Sequence, residues 1–256
     1  MRNKLTNELT VCGLNAVLAL SEVHPEQIKR LFLRNDRLKS FSRVCKFLAD
    51  HKRPYKICED EELEQICKSP RHQGAVAIIN EPVLSPLTED DLAVWGKEKS
   101  TVLLLDSVGN DNNLGAIARS AAFFGASAII VSDQDKEARL TTSAYRVAEG
   151  GMEYLQFRQV HNVSLFLKDA AQVLWVLGAD HRARLRIRDL GSLIVEESKT
   201  HGRRGFILVV GNEEHGLSQE VKDGCSYLAR IPGTGNIESL NVAQAATLFL
   251  HELYEA

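Results

Sequence analysis

After residue 98 the chain is punctuated by four nearly unbroken apolar runs, "STVLLLDSV", "ASAIIVSD", "VLWVLGAD" and "GFILVVGN". A strand covered on both faces needs no polar alternation, so such runs predict buried parallel strands. "YLARIP" is a shorter fifth. Helical patterns separate them, which gives an α/β unit with a parallel sheet. The first third carries weaker strand signals, "RLFL", "YKIC" and "GAVAIIN", with "FSRVCKFLADH" and "DEELEQIC" as helices between them. "EPVLSPLTEDDLAVWGKEKS" holds Pro82 and Pro86 and begins without periodicity, so it reads as a connector. The pattern predicts a small unit over 1–82, a linker over 83–98 and a larger α/β unit over 99–256. No internal repeat or low-complexity stretch interrupts it.

Composition adds bounds. With 256 residues and 44% hydrophobic side chains, the chain can bury a real core in one large or two smaller domains. A net charge of −3 excludes a global basic field, but residues 1–58 hold 12 Lys/Arg against 5 Asp/Glu, a local excess of +7 that leaves −10 for the rest. Such a patch can attract nucleic acid where the average conceals it. The five cysteines are odd in number, scattered and free of C-x-x-C pairs, which argues for reduced thiols and against a disulfide frame or a zinc site. "MRNKLTNELTVCG" lacks the apolar core of a signal peptide, and no run approaches about 18 apolar residues. The expectation is a soluble, cytoplasmic protein without a metal.

In parallel sheets ligands sit beyond the carboxyl ends of strands, which directs attention to "DSVGNDNN", "LGADHR", "VGNEEHG" and "IPGTGNIESLN". "GNEEHGLS" has P-loop spacing, but Leu217 replaces the lysine and Glu213 and Glu214 would repel phosphate. "GTGNIE" starts like a dinucleotide fingerprint, yet Glu238 stands where the third glycine belongs and no first strand precedes it. What remains is a set of glycine-bearing loops that let a neutral or cationic ligand approach the backbone. Ser239 or Asn241 fits a helix cap. Arg119 lies among Gly115, Ala116, Ala122 and Phe123, where a permanently charged guanidinium needs an acceptor.

"LDSVGNDNNLGAIARSAAFFGA", "ILVVGNEEHGLS" and "RIPGTGNIESLNVAQAATLFLHE" together resemble, in order, the three motifs of the SpoU (TrmH) branch of the SPOUT RNA methyltransferases. "TTSAYRVAEGGMEYL" resembles the segment between the first two motifs. "VCGLNAVLAL" and "HQGAVA" resemble the opening and close of the family's N-terminal substrate-binding domain. The sequence departs from the pattern at Asn112, where proline is usual, at "AEGG" (148–151), where "SAG" is common, and at Gly233, where methionine is usual.

The resemblance implies a parallel-sheet SPOUT catalytic domain with a C-terminal trefoil knot, preceded by a small α/β domain like ribosomal protein L30e. It implies methyl transfer from S-adenosylmethionine to a ribose 2′-hydroxyl of ribosomal or transfer RNA, by a homodimer. Cofactor contacts then fall on Gly178, Ala179, Gly211, Ile231 and Leu240. Arg119, Asn113, Glu213 and Asn241 become the catalytic set, with Arg119 orienting the ribose and stabilising charge. Arg30, Arg34, Arg37 and Arg43, together with Arg182 and Arg184 in "HRARLRIR", become the RNA-facing cations. The alternative is a homologue that holds RNA during ribosome assembly without methylating it.

Overall fold

The computed structural model describes residues 2–3, 7–133, 140–212 and 214–255. The chain divides into two compact units, Met1–Val83 with Arg139–Tyr154, and Leu84–Ala138 with Leu155–Ala256. The first unit opens with β1 (Arg2–Asn3), β2 (Glu8–Cys12), α1 (Leu14–Val23), β3 (Ile28–Leu33), α2 (Ser42–Asp50), β4 (Tyr55–Ile57), α3 (Asp60–Cys67) and β5 (Ala75–Asn80). Its sheet runs β1-β2-β5-β3-β4 and is antiparallel except for the parallel β3–β4 pair. The buried face of β5 explains the apolar run "AVAII", since all five side chains are enclosed.

The second unit begins with β6 (Ser85–Pro86) and α4 (Glu89–Glu98). This is the stretch expected as a linker, and the structure corrects that reading. Thr88 and Asp91 form a reciprocal capping box that starts α4. Asp91 also receives the Arg158 guanidinium at 3.1 Å, and Trp95, 2% exposed, sits in the core of the unit. The acids of the first turn and the flanking prolines hide a helix whose burial rests largely on one tryptophan.

The rest of the chain supplies β7 (Thr101–Asp106), α5 (Asp111–Phe123), β8 (Ala128–Ser132), α6 (Thr142–Ala148), β9 (Gln156–Val160), α7 (Val163–Ala170), β10 (Trp175–Ala179), β11 (Leu185–Arg186), α8 (Leu190–His201), β12 (Phe206–Gly211), α9 (Gln219–Gly224), β13 (Tyr227–Arg230) and α10 (Val242–Glu255). All but α6 belong to the second unit. Eight strands form one sheet in the order β11-β13-β10-β12-β7-β8-β9-β6, parallel throughout. The four long apolar runs are β7, β8, β10 and β12 at its centre. Their side chains are buried on both faces, as the unbroken patterns demand.

The stretch 99–256, read from sequence as the larger unit, includes α6 and the turn after it. They pack in the first unit. The Thr142 hydroxyl donates to the Thr10 carbonyl at 2.7 Å, and Asn15 donates to the Glu149 carboxylate at 2.7 Å. Gly150 adopts φ 96°, and a Cβ there would lie 2.7 Å from the Ala19 methyl. This docking buries Ala144, Tyr145, Ala148, Met152 and Glu153.

Glu153 is the costly member of that group. Its Oε1 is buried without a hydrogen-bond partner among the described residues. Burial, with a smaller contribution from Glu26, pushes its carboxyl up from 4.5 to about 7. A raised carboxyl pKa means that folding disfavours the charged form. The cost is absent below pH 4.5, grows as pH rises, and is complete above about 7. Glu153→Gln is therefore expected to stabilise the protein at pH 8 by about 1–2 kcal/mol and to match the parent at pH 4, as read from denaturant midpoints.

Candidate functional site

Placing β12 between β7 and β10 brings the loops after three strands to one edge of the sheet. Gly211 is the register partner of Asp106, so the first two motif loops leave the sheet side by side. They are stitched together: the Asn212 amide donates to the Ser107 carbonyl at 2.9 Å, and the Ser218 N–H donates to Asp106 Oδ2 at 3.0 Å. Gly211 is glycine for a packing reason. A Cβ would lie 2.4 Å from the Gly216 carbonyl carbon and 2.6 Å from the Leu217 nitrogen, because the loop folds back against its own strand.

Beyond these strand ends lies a cavity of about 220 Å³. Its apolar lining includes Val210, Leu217, Leu240, Val242 and Phe249. Charged residues line it too. Asp180 accepts the Arg182 N–H at 2.8 Å and pairs with Lys222 at 2.8 Å. Burial opposes ionisation of Asp180, but Lys222 and the backbone donor outweigh it and hold its carboxyl below the usual range. Glu238 approaches His181 Nε2 at 3.3 Å, the same nitrogen that Arg182 Nε meets at 3.1 Å. Arg230 also lines the cavity, and its Nε is buried without a partner among the described residues.

Of the five cofactor positions expected from sequence, Ala179, Gly211, Ile231 and Leu240 line this cavity. Gly178 is not among the lining residues. The space that a Cβ would occupy is filled by Leu228, Cys225 and Leu217, at 2.6–2.9 Å, so its smallness serves sheet packing. Asp180, Lys222 and Arg230 escaped sequence reasoning. Asp180 follows directly on the chosen Gly178 and Ala179. Arg230 directly precedes Ile231, and its single charge ending an apolar strand is the signal that could have found it.

The expected catalytic residues separate. Asn241 Nδ2 donates to Asn113 Oδ1 at 3.0 Å, across 128 residues of sequence. Asn241 Oδ1 accepts the Ala243 N–H at 3.0 Å and so caps α10. A second bridge, Ser120 to Thr247 at 2.7 Å, joins α5 to α10 about two helical turns further along the same face of α5. Asn241 thus sits between the cavity residues Leu240 and Val242. Arg119 is exposed, outside the cavity lining, and forms no hydrogen bond or ion pair among the described residues. Glu213 lies outside the described residues.

Several of the cations expected to face RNA are held by acids of their own unit. Arg30 and Lys29 both pair with Glu8. Arg34 binds Asp36 at 2.7 Å and Asp60 at 3.0 Å, and those hydrogen bonds raise its already high pKa. Arg37 donates to the Gln73 carbonyl at 3.2 Å. Arg43 and Arg184 are exposed and have no partner among the described residues. Arg182 lies at the cavity rim. The +7 of the N-terminal stretch is therefore less available than the count suggests.

Comparison with known proteins gives this geometry a lineage. Residues 100–251 match the SpoU rRNA Methylase family, and residues 10–83 match the domain described as RNA 2′-O ribose methyltransferase substrate binding. The chain is similar to the 23S rRNA (guanosine-2′-O-)-methyltransferase RlmB of Acinetobacter baylyi, 32% identical over 249 residues, covering 94% of each chain. Among solved structures it resembles an AdoMet-bound rRNA methyltransferase from Sinorhizobium meliloti, with a TM-score of 0.76 at 22% identity, covering 98% of this chain and 88% of that one. It also resembles the SpoU methyltransferase AviRb of Streptomyces viridochromogenes in complex with AdoMet, with a TM-score of 0.67 at 23% identity, over 97% and 90%. With a matching catalytic family, a matching substrate-binding domain and a relative alike along its whole length, the chain belongs to the SpoU rRNA methylase family.

Proposed function

We propose that this protein transfers a methyl group from S-adenosylmethionine to a ribose 2′-hydroxyl of ribosomal RNA, in the cytoplasm. The reading rests above all on one observation. The loops after β10, β12 and β13 close around a cavity lined by both apolar and charged residues, in a chain similar to a ribose methyltransferase over 94% of each chain. A cofactor with an adenine ring at one end and a zwitterionic amino acid at the other suits both kinds of lining. Ala179, Gly211, Ile231 and Leu240 would hold it, chiefly through backbone and apolar contact. When bound, it supplies a methyl group on positively charged sulfur. The RNA is taken to be that of the large subunit, as the relatives' names state for those proteins.

The chain's own residues do the remaining work. A 2′-hydroxyl is a weak nucleophile, and negative charge gathers on its oxygen as the new bond to carbon forms and the proton departs. A fixed cation beside the adjacent phosphate orients the ribose and offsets that charge. Arg119 is suited to this because no partner within its own chain engages it among the described residues. It stands one helical turn before Phe123, which is 80% exposed, and on the neighbouring helix Leu248 and Tyr254 are also exposed. We take this α5–α10 face to be covered by a second copy, so that Arg119 of one copy serves the cavity of the other. The Asn113–Asn241 bond then fixes the start of α5 against the cavity wall. The trefoil threading of the C-terminal chain is part of the same proposal; the packing of α10 on α5, α8 and β12 supports it. Glu213 keeps its proposed role as the acid of the second motif.

Three outcomes are expected. Arg119→Ala folds and binds S-adenosylmethionine like the parent, but single-turnover methylation of ribosomal RNA falls about 10²–10³-fold; a parental rate would remove the residue's role, and no methylation by the parent under any RNA would favour the binding-only alternative. Asn241→Asp keeps the cap of α10 and loses the donor to Asn113, so stability changes by less than about 1 kcal/mol while turnover falls about tenfold or more. Asn113→Ala falls by a similar factor, and the double variant falls little further. Replacing Arg43 and Arg184 together by alanine lowers the slope of log affinity for RNA against log salt by about one to two, measured by filter binding.

A further inference from the structure

Among the charges that line the cavity, most are engaged by a neighbour. Asp180 is satisfied by Lys222 and by the Arg182 N–H, and Glu238 lies against His181. Arg230 has neither. Its Nε is enclosed by protein, no hydrogen bond or ion pair reaches its guanidinium among the described residues, and the residue is part of the cavity lining. Its register partner in the parallel β11–β13 ladder is Arg186, so a second positive charge projects from the same face of the sheet. A guanidinium cannot shed its charge to relieve this. Protein closes off its Nε, and the terminal nitrogens of this half-buried guanidinium are left as charged donors that a bound anion can complete.

Three features limit what that anion is. The strand fixes the Arg230 backbone, so the site is preformed rather than recruited. The cavity is small, about 220 Å³. Glu214, Glu238 and Asp180 also line it, which disfavours a polyanion such as RNA backbone and tolerates a single carboxylate paired with a nearby cation. We infer that Arg230 is the receptor for the α-carboxylate of S-adenosylmethionine, and that this charge-assisted fork sets both the affinity and the orientation of the amino-acid end of the cofactor. The inference rests on the methyltransferase reading and adds to it a specificity-determining residue.

Titration calorimetry on the full chain tests it with two ligands, S-adenosylmethionine and its decarboxylated analogue. The parent is expected to bind the carboxylated ligand about 10- to 100-fold more tightly, the range for a hydrogen bond to a charged group. Arg230→Gln is expected to lose that preference by weakening S-adenosylmethionine alone, with the analogue unchanged. Arg230→Lys, which keeps the charge without the fork, is expected to fall between. A parent that binds both ligands equally overturns the inference without any variant, and so does an Arg230→Gln protein that retains the full preference. If Arg230→Gln instead weakens RNA binding and leaves the ligand preference intact, the side chain serves a phosphate and the inference is wrong while the methyltransferase reading stands. A parent that binds neither ligand overturns both.

Discussion

The catalytic unit depends on one close approach, that of Gly216 and Leu217 to the end of their preceding strand at Gly211. Because no side chain stands there, the loop folds back within 2.4–2.6 Å of where a Cβ would be. Asn212 and Ser218 can then reach Ser107 and Asp106 on the neighbouring strand end. Everything at the cavity follows from that crossing. It fixes the wall formed by Val210, Gly216 and Leu217, and it leaves room for the loop after β13 to lie opposite. The same economy recurs at Gly178, where three apolar neighbours fill the Cβ position and allow β13 to pack tightly beside β10. Small residues at strand ends therefore have two distinct causes in this protein. One shapes the cavity and the other only closes the sheet.

That distinction marks the limit of what was legible beforehand. The central strands could be read because double burial erases polar alternation, and β7, β8, β10 and β12 emerge where the apolar runs stand. The motif loops could be found because parallel sheets present their carboxyl ends to ligands. Gly178 could not be told from Gly211, since both are glycines at strand ends and their neighbours are remote in sequence. Helix α4 was hidden because its capping acids mimic a polar connector and its one deep anchor, Trp95, gives no periodicity. Asp180 and Arg230 were passed over because their significance lies in the pairing of one and the isolation of the other. The partners that decide this, Lys222 above all, come from other elements.

The electrostatics teach a related lesson. A count of basic residues in the first 58 positions overstates the field that RNA would meet. Glu8, Asp36 and Asp60 already hold Arg30, Lys29 and Arg34. Exposed pairs of this kind are weak and can be exchanged for phosphate contacts, so they tune binding rather than forbid it. Arg119, Arg43 and Arg184 differ in having no such engagement among the described residues.

The docking of α6 into the first unit has a consequence for modularity. The chain passes between units three times, at 83/84, 138/139 and 154/155, so the substrate-binding module is not a bead threaded ahead of the enzyme. A gene fragment ending at residue 83 would lack the helix that covers Thr10 and Ala19. A fragment beginning at residue 84 would carry Tyr145, Ala148 and Met152 with nothing to shelter them. Exchange of the module between relatives by simple fusion thus leaves two unfinished surfaces, and recombination that preserves the protein must carry both pieces together.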